Sequence, residues 1–137
     1  MTIVIDASIT IAALSPDEQS DDTERYLNTI AVTDAVVPAI WALEIMHVIR
    51  RKVTRGLLSA ELAAEALAAA QLLNVRVSTT NAAVTFSDVG RLVRIHDLTP
   101  YDASYLDCAI RLERPLATLD RRMRAAALVE GITILPD

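Results

Sequence analysis

Hydrophobic residues along the chain form short uninterrupted runs, and these runs are separated by longer segments with helical spacing. Four runs, TIVID, DAVVP, PLATLD and ITILP, are strand candidates, and the shorter IHDL is a fifth. Continuous apolar runs of this length are typical of strands that are buried on both faces, as in parallel sheets. The pattern therefore predicts a central parallel sheet of four to five strands.

Helical segments lie between these runs. The predicted helices are ASITIAAL, DEQSDDTERYLNTI, AIWALEIMHVIRRKV, SAELAAEALAAAQLL, NAAVTFSDVGRLVR, Thr99 to about Arg111, and RRMRAAALVE. The third has apolar residues near helical spacing at Ile40, Leu43, Met46 and Val53, and a glycine follows both it and the last helix as a stop signal. Strands that alternate with helices predict βαβ units. We expect residues 1–137 to form one three-layer α/β/α domain.

Four acidic residues fall at the predicted carboxyl edge of this sheet. Asp6 and Asp120 close two strands, Asp102 lies in the first turn of the helix after IHDL, and Glu44 lies in the second turn of the helix after DAVVP. The carboxyl ends of parallel strands share one edge, where open α/β sheets bind their ligands. We therefore expect these carboxylates to lie within reach of a common point.

Each acid also has a simpler interpretation. Asp6 and Asp120 suit helix N-caps, Asp102 suits the first turn of a helix capped by Thr99, and Glu44 could lie on a helix surface. Together, however, four carboxylates in one cleft would repel one another and raise each other's pKa, a penalty that divalent cations remove. Oxygen ligands favour Mg²⁺ or Mn²⁺, whereas one cysteine and two scattered histidines fit zinc poorly.

Four segments in this order resemble the PIN-domain family. They are IVIDAS, PAIWALEIMHVIRR, LTPYDASYLDCAI and PLATLDRRM, and they span nearly the whole chain. More narrowly, TxYDAxYL followed by LATLD is similar to the VapC toxins of bacterial toxin–antitoxin pairs. The resemblance implies a Mg²⁺- or Mn²⁺-dependent endoribonuclease that forms a homodimer and is inhibited by a cognate VapB antitoxin.

The resemblance also assigns roles to individual residues. The family's catalytic and metal-binding acids correspond to Asp6, Glu44, Asp102 and Asp120, the same four that the topology selects, and Ser8 and Thr118 match hydroxyl positions that could contact substrate. In this interpretation the acids hold one or two Mg²⁺ ions against a scissile phosphate, and water attacks in line. Many relatives have asparagine where this chain has His47. His47 could form a hydrogen bond there or simply pack on its helix.

Charge alone does not identify the partner. The net charge is −5, with 18 acids and 13 bases, which argues weakly against nonspecific nucleic-acid binding. The bases nevertheless cluster in IRRKVTR and in DRRMR, and an acidic cleft needs flanking cations to hold RNA. Arg121 and Arg122, directly after Asp120, are the candidates for phosphate contact. Arg50, Arg51, Lys52 and Arg55 form the other cluster, which either contacts RNA or complements the helix dipole.

Other protein classes share some of these features. A receiver domain also places aspartates and Mg²⁺ at strand ends, but it needs a strand-end lysine, and Lys52 lies inside a predicted helix. A haloacid-dehalogenase-type phosphatase would have aspartate where Ser8 stands. A non-catalytic PIN-like scaffold stays open, as does the position of the alanine-rich helix in the core or in a dimer interface.

The sequence also indicates where in the cell the protein is located. Asp6 interrupts the first apolar run, so we expect no signal peptide, and glutamates and a glutamine interrupt the alanine-rich stretch, so we expect no membrane segment. The one cysteine, Cys108, falls at helical spacing with Tyr105 and Leu112, which predicts a core position. Because there is only one cysteine, the chain cannot form an internal disulfide, and we expect a reducing, cytoplasmic location.

Overall fold

A five-stranded parallel sheet lies at the centre of the computed structural model, which describes residues 1–31 and 34–137. The strands are β1 (Thr2–Ile5), β2 (Asp34–Pro38), β3 (Val75–Ser78), β4 (Leu116–Ala117) and β5 (Ile134–Leu135), in the spatial order β3-β2-β1-β4-β5. All neighbouring strands pair in parallel, and Val4 of the central strand pairs with Val36 and Leu116. The predicted parallel sheet is confirmed.

Helices connect the strands and complete a three-layer α/β/α arrangement, as predicted. They are α1 (Ala7–Leu14), α2 (Thr23–Ile30), α3 (Ile40–Thr54), α4 (Ala60–Gln71), α5 (Ala82–Val84), α6 (Gly90–His96), α7 (Pro100–Leu112) and α8 (Arg121–Val129). A 3₁₀ turn, Pro16–Glu18, follows α1, and a turn of π-helix, Thr85–Val89, joins α5 to α6. The predicted helix 81–94 is therefore present, with its irregular turn directly before Gly90.

The core lies on both faces of β1, which explains the unbroken apolar run at the start of the chain. Ile3, Val4 and Ile5 are all fully buried, because β1 is the middle strand and is covered on each side. The α4 helix packs against α1 and α3 through Ala63, Ala66 and Ala70, so the alanine-rich segment contributes to the core. Cys108 is also fully buried, as its spacing predicted.

Several helix boundaries agree with their sequence signals. Ser59 and Thr99 accept capping hydrogen bonds from the backbone N–H groups of Leu62 and Asp102. Gly56 and Gly131 follow the ends of α3 and α8 with φ angles of 75° and 76°, the left-handed conformation that glycine adopts without strain. These residues confirm the predicted starts of α4 and α7 and the predicted stops of α3 and α8.

The prediction of a strand at IHDL is wrong. Ile95 and His96 end the α6 helix, and Asp97 then takes a left-handed conformation with φ 52°. The remaining strand is β3, which lies at the edge of the sheet and pairs only with β2. The α7 helix therefore follows another helix and not a strand.

The helix predicted from the spacing of Ile40, Leu43, Met46 and Val53 is present as α3, but these residues do not all face the core. Leu43 is 62% exposed and Met46 is 49% exposed, whereas the buried residues of this helix are Trp41, Ile45 and Ile49. The helix thus has one apolar face against the core and a second apolar row that is open to solvent. Within the described residues, no helix combines the length and hydrophobicity needed to cross a membrane.

Candidate active site

Four separate elements bring the predicted acids to the carboxyl edge of the sheet. Asp6 directly follows β1, Asp120 comes shortly after the neighbouring β4, Glu44 lies in the second turn of α3 after β2, and Asp102 lies in the first turn of α7. Their charges act on one another: Asp120 raises the pKa of Asp6, Asp6 and Asp102 raise that of Glu44, and Asp120 and Asp6 raise that of Asp102. The four side chains therefore form one electrostatic cluster.

Asp6 is the most deeply buried member, with 4% of its surface exposed. Its backbone N–H donates to the carbonyl oxygen of Ala117 on β4 at 2.9 Å, and its Oδ2 accepts hydrogen bonds from Ser8 Oγ at 2.7 Å and Thr118 Oγ1 at 2.8 Å. Burial raises the pKa of Asp6, the two hydroxyls lower it, and Asp120 raises it further. Although Asp6 precedes α1, its side chain makes no capping hydrogen bond, so helix capping does not explain it.

Ser8 and Thr118 tie the two strand ends together. Ser8 Oγ accepts from the backbone N–H of Leu119 at 3.2 Å, and Thr118 Oγ1 accepts from that of Asp120 at 3.1 Å. Thr118 is fully buried. The two hydroxyls that the sequence suggested as substrate contacts are thus turned toward Asp6, and they hold the segment before Asp120 against it.

Asp120 does act as a helix cap. It precedes α8, and its Oδ1 accepts a hydrogen bond from the backbone N–H of Met123 at 2.9 Å. This confirms the simpler interpretation for that residue. Capping uses Oδ1, so the same carboxylate can cap α8 and still face the cluster with its other oxygen.

Asp102 lies in the first turn of α7, which is capped by Thr99 as predicted. The backbone N–H of Asp102 donates to Thr99 Oγ1 at 3.1 Å. The helix dipole favours a negative charge in this first turn and would lower the pKa of Asp102. Its pKa is raised instead, first by burial and then by Asp120 and Asp6. Burial and the repulsion from the other acids therefore outweigh the hydrogen bond with Thr99, which lowers the pKa of Asp102.

The carboxylate of Glu44 has a strongly raised pKa. Burial, followed by the charge of Asp6, raises its pKa from 4.5 to about 7, and the nearby hydroxyl of Tyr105 lowers it in part. Its Oε1 is buried and has no hydrogen-bond partner among the described residues. A buried carboxylate oxygen without a partner is costly, and a bound cation is one way to satisfy it.

The four residues are far apart in sequence, and all of them provide carboxylate oxygens. This donor set fits a hard divalent cation, because such cations prefer oxygen ligands. Among residues 1–31 and 34–137, no three His, Cys, Asp or Glu side chains stand ready-made as a metal cluster. Cation binding at this edge would thus require the carboxylates to draw closer together. The raised pKa values give the physical reason for such closure, since a cation would relieve the repulsion between them.

Arginines of α8 lie beside the acids and have different roles. Arg121 is exposed, and Arg122 is exposed with its Nη1 3.7 Å from Asp97 Oδ2. Arg124 instead donates to the backbone carbonyls of Thr118 at 2.8 Å and Pro136 at 2.7 Å, so it braces the chain after β4 and β5. Arg121 and Arg122 can reach a ligand, whereas Arg124 is engaged in the fold.

The basic cluster of α3 is likewise divided. Lys52 forms ion pairs with Asp17 at 2.6 Å and Glu18 at 2.5 Å, and its side chain is mostly buried. Arg50, Arg51 and Arg55 are exposed. Lys52 therefore anchors the 3₁₀ turn after α1. His47 is exposed on the same helix, which does not match the packed position considered from sequence.

Tyr105 is a neighbour of the site that the sequence did not single out. It lies in α7 one turn after Asp102, it is fully buried, and its hydroxyl comes near Glu44 and Asp6. Its spacing with Cys108 indicated only a core residue. The signal that could have revealed it is its polar atom, since a fully buried tyrosine hydroxyl usually has a partner.

Comparison with known proteins agrees with this geometry. The chain belongs to the PIN-domain family, whose sequence profile matches residues 3–128. It is 28% identical over 123 residues to Ribonuclease VapC3 of Pyrobaculum aerophilum, covering 90% of this chain and 92% of that protein. The resemblance to VapC-type PIN ribonucleases is thus confirmed.

A solved structure supports the fold independently. The crystal structure of PAE2754 from Pyrobaculum aerophilum superimposes with a TM-score of 0.66, and the match covers 98% of this chain and 92% of that one. The two sequences are 18% identical. The likeness therefore supports the PIN-like three-layer fold.

Proposed function

We propose that this protein is a Mg²⁺- or Mn²⁺-dependent endoribonuclease and the toxin component of a type II toxin–antitoxin pair. The observation that carries the proposal is the cluster of Asp6, Glu44, Asp102 and Asp120, four acids from four elements at the carboxyl edge of the sheet, where burial and the neighbouring carboxylates raise the pKa of Asp6, Glu44 and Asp102. Membership of the PIN-domain family and similarity to Ribonuclease VapC3 support RNA as the substrate.

Asp6, Asp102 and Asp120 are the proposed ligands of the first cation, and Glu44 is proposed to bind a second cation or to orient the attacking water. A bound divalent cation would supply positive charge to the phosphate in the transition state and lower the pKa of water at the site. The chain's own contribution is to bring the four carboxylates to one edge of the sheet, so that they can draw together around the cation.

The hydroxyls of Ser8 and Thr118 serve that purpose. Both donate to Asp6 Oδ2, so they fix the orientation of this carboxylate and compensate part of its burial. Through the backbone of Leu119 and Asp120, the same hydroxyls also fix the approach of Asp120. We propose that Ser8 and Thr118 position the acids and thereby align the phosphate only indirectly.

RNA affinity is proposed to come from exposed arginines near the acids. Arg121 and Arg122 start α8 directly after Asp120, and both are exposed to solvent. Phosphate contacts from such residues would offset the repulsion between RNA and the carboxylates. Arg50, Arg51 and Arg55 lie at the far end of α3 and are proposed at most as contacts to a distant part of the RNA.

The partners are proposed on the same basis. A homodimer and a VapB-like antitoxin follow from the resemblance to VapC toxins, and a cytoplasmic location follows from an RNA substrate. The exposed apolar row of α3, formed by Leu43, Met46 and Val53 with Leu57 beyond its end, supports a contact with another protein chain.

The proposal is tested by incubating the purified protein with structured and single-stranded RNA in Mg²⁺ and in EDTA. We expect cleavage in Mg²⁺, none in EDTA, and none for Asp6→Asn at saturating Mg²⁺. Asp21→Asn is the matched control, because Asp21 is exposed and lies outside the cluster. Cleavage that persists in EDTA or in Asp6→Asn would refute the assignment, and metal uptake without cleavage would indicate a non-catalytic scaffold.

A further inference from the structure

Two polar atoms in this site are buried and have no hydrogen-bond partner among the described residues. They are Tyr105 Oη and Glu44 Oε1, and within residues 1–31 and 34–137 they are the side-chain atoms for which this holds. Most buried polar side-chain atoms in proteins have a partner, because each one left without a partner lowers the stability of the folded state. Their occurrence as a pair requires an explanation.

The Tyr105 hydroxyl and the Glu44 carboxylate are neighbours. Among the charged neighbours of the Tyr105 hydroxyl, Glu44 raises its pKa the most. The hydroxyl in turn lowers the pKa of Glu44. They are near enough to interact, yet their separation or angle falls short of a hydrogen bond. The other groups beside the hydroxyl are the carboxylate of Asp6 and the backbone N–H of Ala7.

The chemistry of the pair allows only one direction of bonding when Glu44 is ionised. Burial and the nearby carboxylates raise the pKa of Tyr105 far above its usual range, so the hydroxyl keeps its proton and is available as a donor. An ionised Glu44 can only accept. A short movement of the Glu44 side chain would therefore join the two atoms and satisfy both.

Tyr105 is also well placed to fix the position of the Glu44 carboxylate. Its ring is fully buried in α7, three residues after Asp102, and so it belongs to the same turn of helix as one of the proposed metal ligands. A rigid donor next to Asp102 sets where the Glu44 carboxylate stands relative to it. Removing a residue that forms a hydrogen bond with a metal ligand commonly lowers metal affinity or activity about 10- to 100-fold.

We propose that Tyr105 is a positioning residue, whose hydroxyl donates to Glu44 Oε1 when the acids close around a divalent cation and so holds that carboxylate toward Asp6 and Asp102. This inference rests on the proposed function, because it concerns the cation-loaded arrangement of the same four acids. Tyr105 itself does not contact the RNA.

Tyr105→Phe removes only the hydroxyl, and Mn²⁺ binding to the metal-free protein measures its effect. By titration calorimetry we expect about 10- to 100-fold weaker Mn²⁺ binding, while the thermal midpoint of the metal-free protein stays the same or rises, since the lost atom had no partner there. Tyr101→Phe is the matched control, because Tyr101 lies one turn earlier on α7 and is 63% exposed. Its Mn²⁺ affinity should equal that of the wild type.

A double-mutant cycle distinguishes positioning from packing. In a Glu44→Gln background, Tyr105→Phe should cause no further loss of Mn²⁺ affinity, because the acceptor charge is already gone. The inference is overturned if Tyr105→Phe binds Mn²⁺ like the wild type, if the same loss recurs in Glu44→Gln, or if the metal-free protein is destabilised. A wild-type protein that takes up no Mn²⁺ would overturn the proposed function as well, whereas normal uptake and RNA cleavage in both wild type and Tyr105→Phe would overturn this inference alone.

Discussion

The half-buried carboxylate of Glu44 should reduce the stability of the metal-free protein above neutral pH, and Glu44→Gln should restore that stability. Burial and the charge of Asp6 raise the pKa of Glu44 from 4.5 to about 7. The folded protein therefore holds this proton more tightly than the unfolded chain does. It follows that the stability contributed by this group falls as the pH rises from about 4.5 to about 7.

The size of the effect follows from the same values. A pKa change from 4.5 to about 7 corresponds to about 3 kcal/mol if the full difference is realised. Glu44 is only half-buried, so solvent screening reduces this to about 1 to 2 kcal/mol. For a chain of this length, that is a rise of about 4 to 8 °C in the thermal midpoint at pH 8.

The assay is thermal unfolding in EDTA at pH 4 and at pH 8. Glutamine has the shape of protonated glutamate, so wild type and Glu44→Gln should unfold alike at pH 4 and separate at pH 8, with the variant more stable. Glu65→Gln is the matched control, because Glu65 is an exposed helical glutamate away from the acids, and it should show no such separation. Equal stability of wild type and Glu44→Gln at pH 8, or a less stable variant, would contradict the electrostatic reasoning.

Further predictions concern the other acids and the arginines. Asp6→Asn should abolish RNA cleavage at saturating Mg²⁺ and raise the thermal midpoint of the metal-free protein, because it removes a buried charge; a lower midpoint would count against the repulsion. Mg²⁺ at 100 times its dissociation constant should stabilise the wild type by about 2.7 kcal/mol, reversibly with EDTA, and no shift in thermal melts would exclude binding. Arg121→Ala and Arg122→Ala should each reduce the salt dependence of RNA affinity by about one phosphate contact without altering stability, and unchanged slopes in salt titrations would remove them from the interface. Arg124→Ala should cost about 2 kcal/mol in denaturant unfolding, since its guanidinium donates to backbone carbonyls, and unaltered stability would show that this brace is dispensable.

An uninterrupted run of apolar residues decides which strands the sequence could predict. β1, β2 and β4 are largely buried, so their residues are continuously apolar, and all three were predicted. β3 lies at the edge with Arg76 and Val77 exposed, so it carries no such run. The IHDL prediction failed for a different reason. This segment has only two apolar residues, Ile95 and Leu98, and so short a pattern cannot distinguish a strand from the end of a helix; Ile95 is in fact exposed and Leu98 buried.

The acids could be predicted because topology fixes their positions. Asp6 and Asp120 follow adjacent parallel strands, which places both at one edge whatever the surrounding side chains are. Tyr105 could not be predicted in the same way. An aromatic residue at helical spacing indicates a core position, and only the three-dimensional structure shows that its hydroxyl lies near Glu44. The engagement of Lys52 and Arg124 within the fold likewise depends on contacts that no sequence pattern records.

The hydrogen bond from Thr118 to Asp6 joins residues that are 112 positions apart. A ribosome that has not yet translated the segment after residue 115 has made a chain without β4, without the hydroxyl that orients Asp6, and without Asp120. The carboxylate cluster is therefore complete only after residue 120 has been added to the chain. A chain that stops at residue 115 already contains β1, β2, β3 and the helices from α1 to α7, so most of the scaffold is synthesised before the site can be completed.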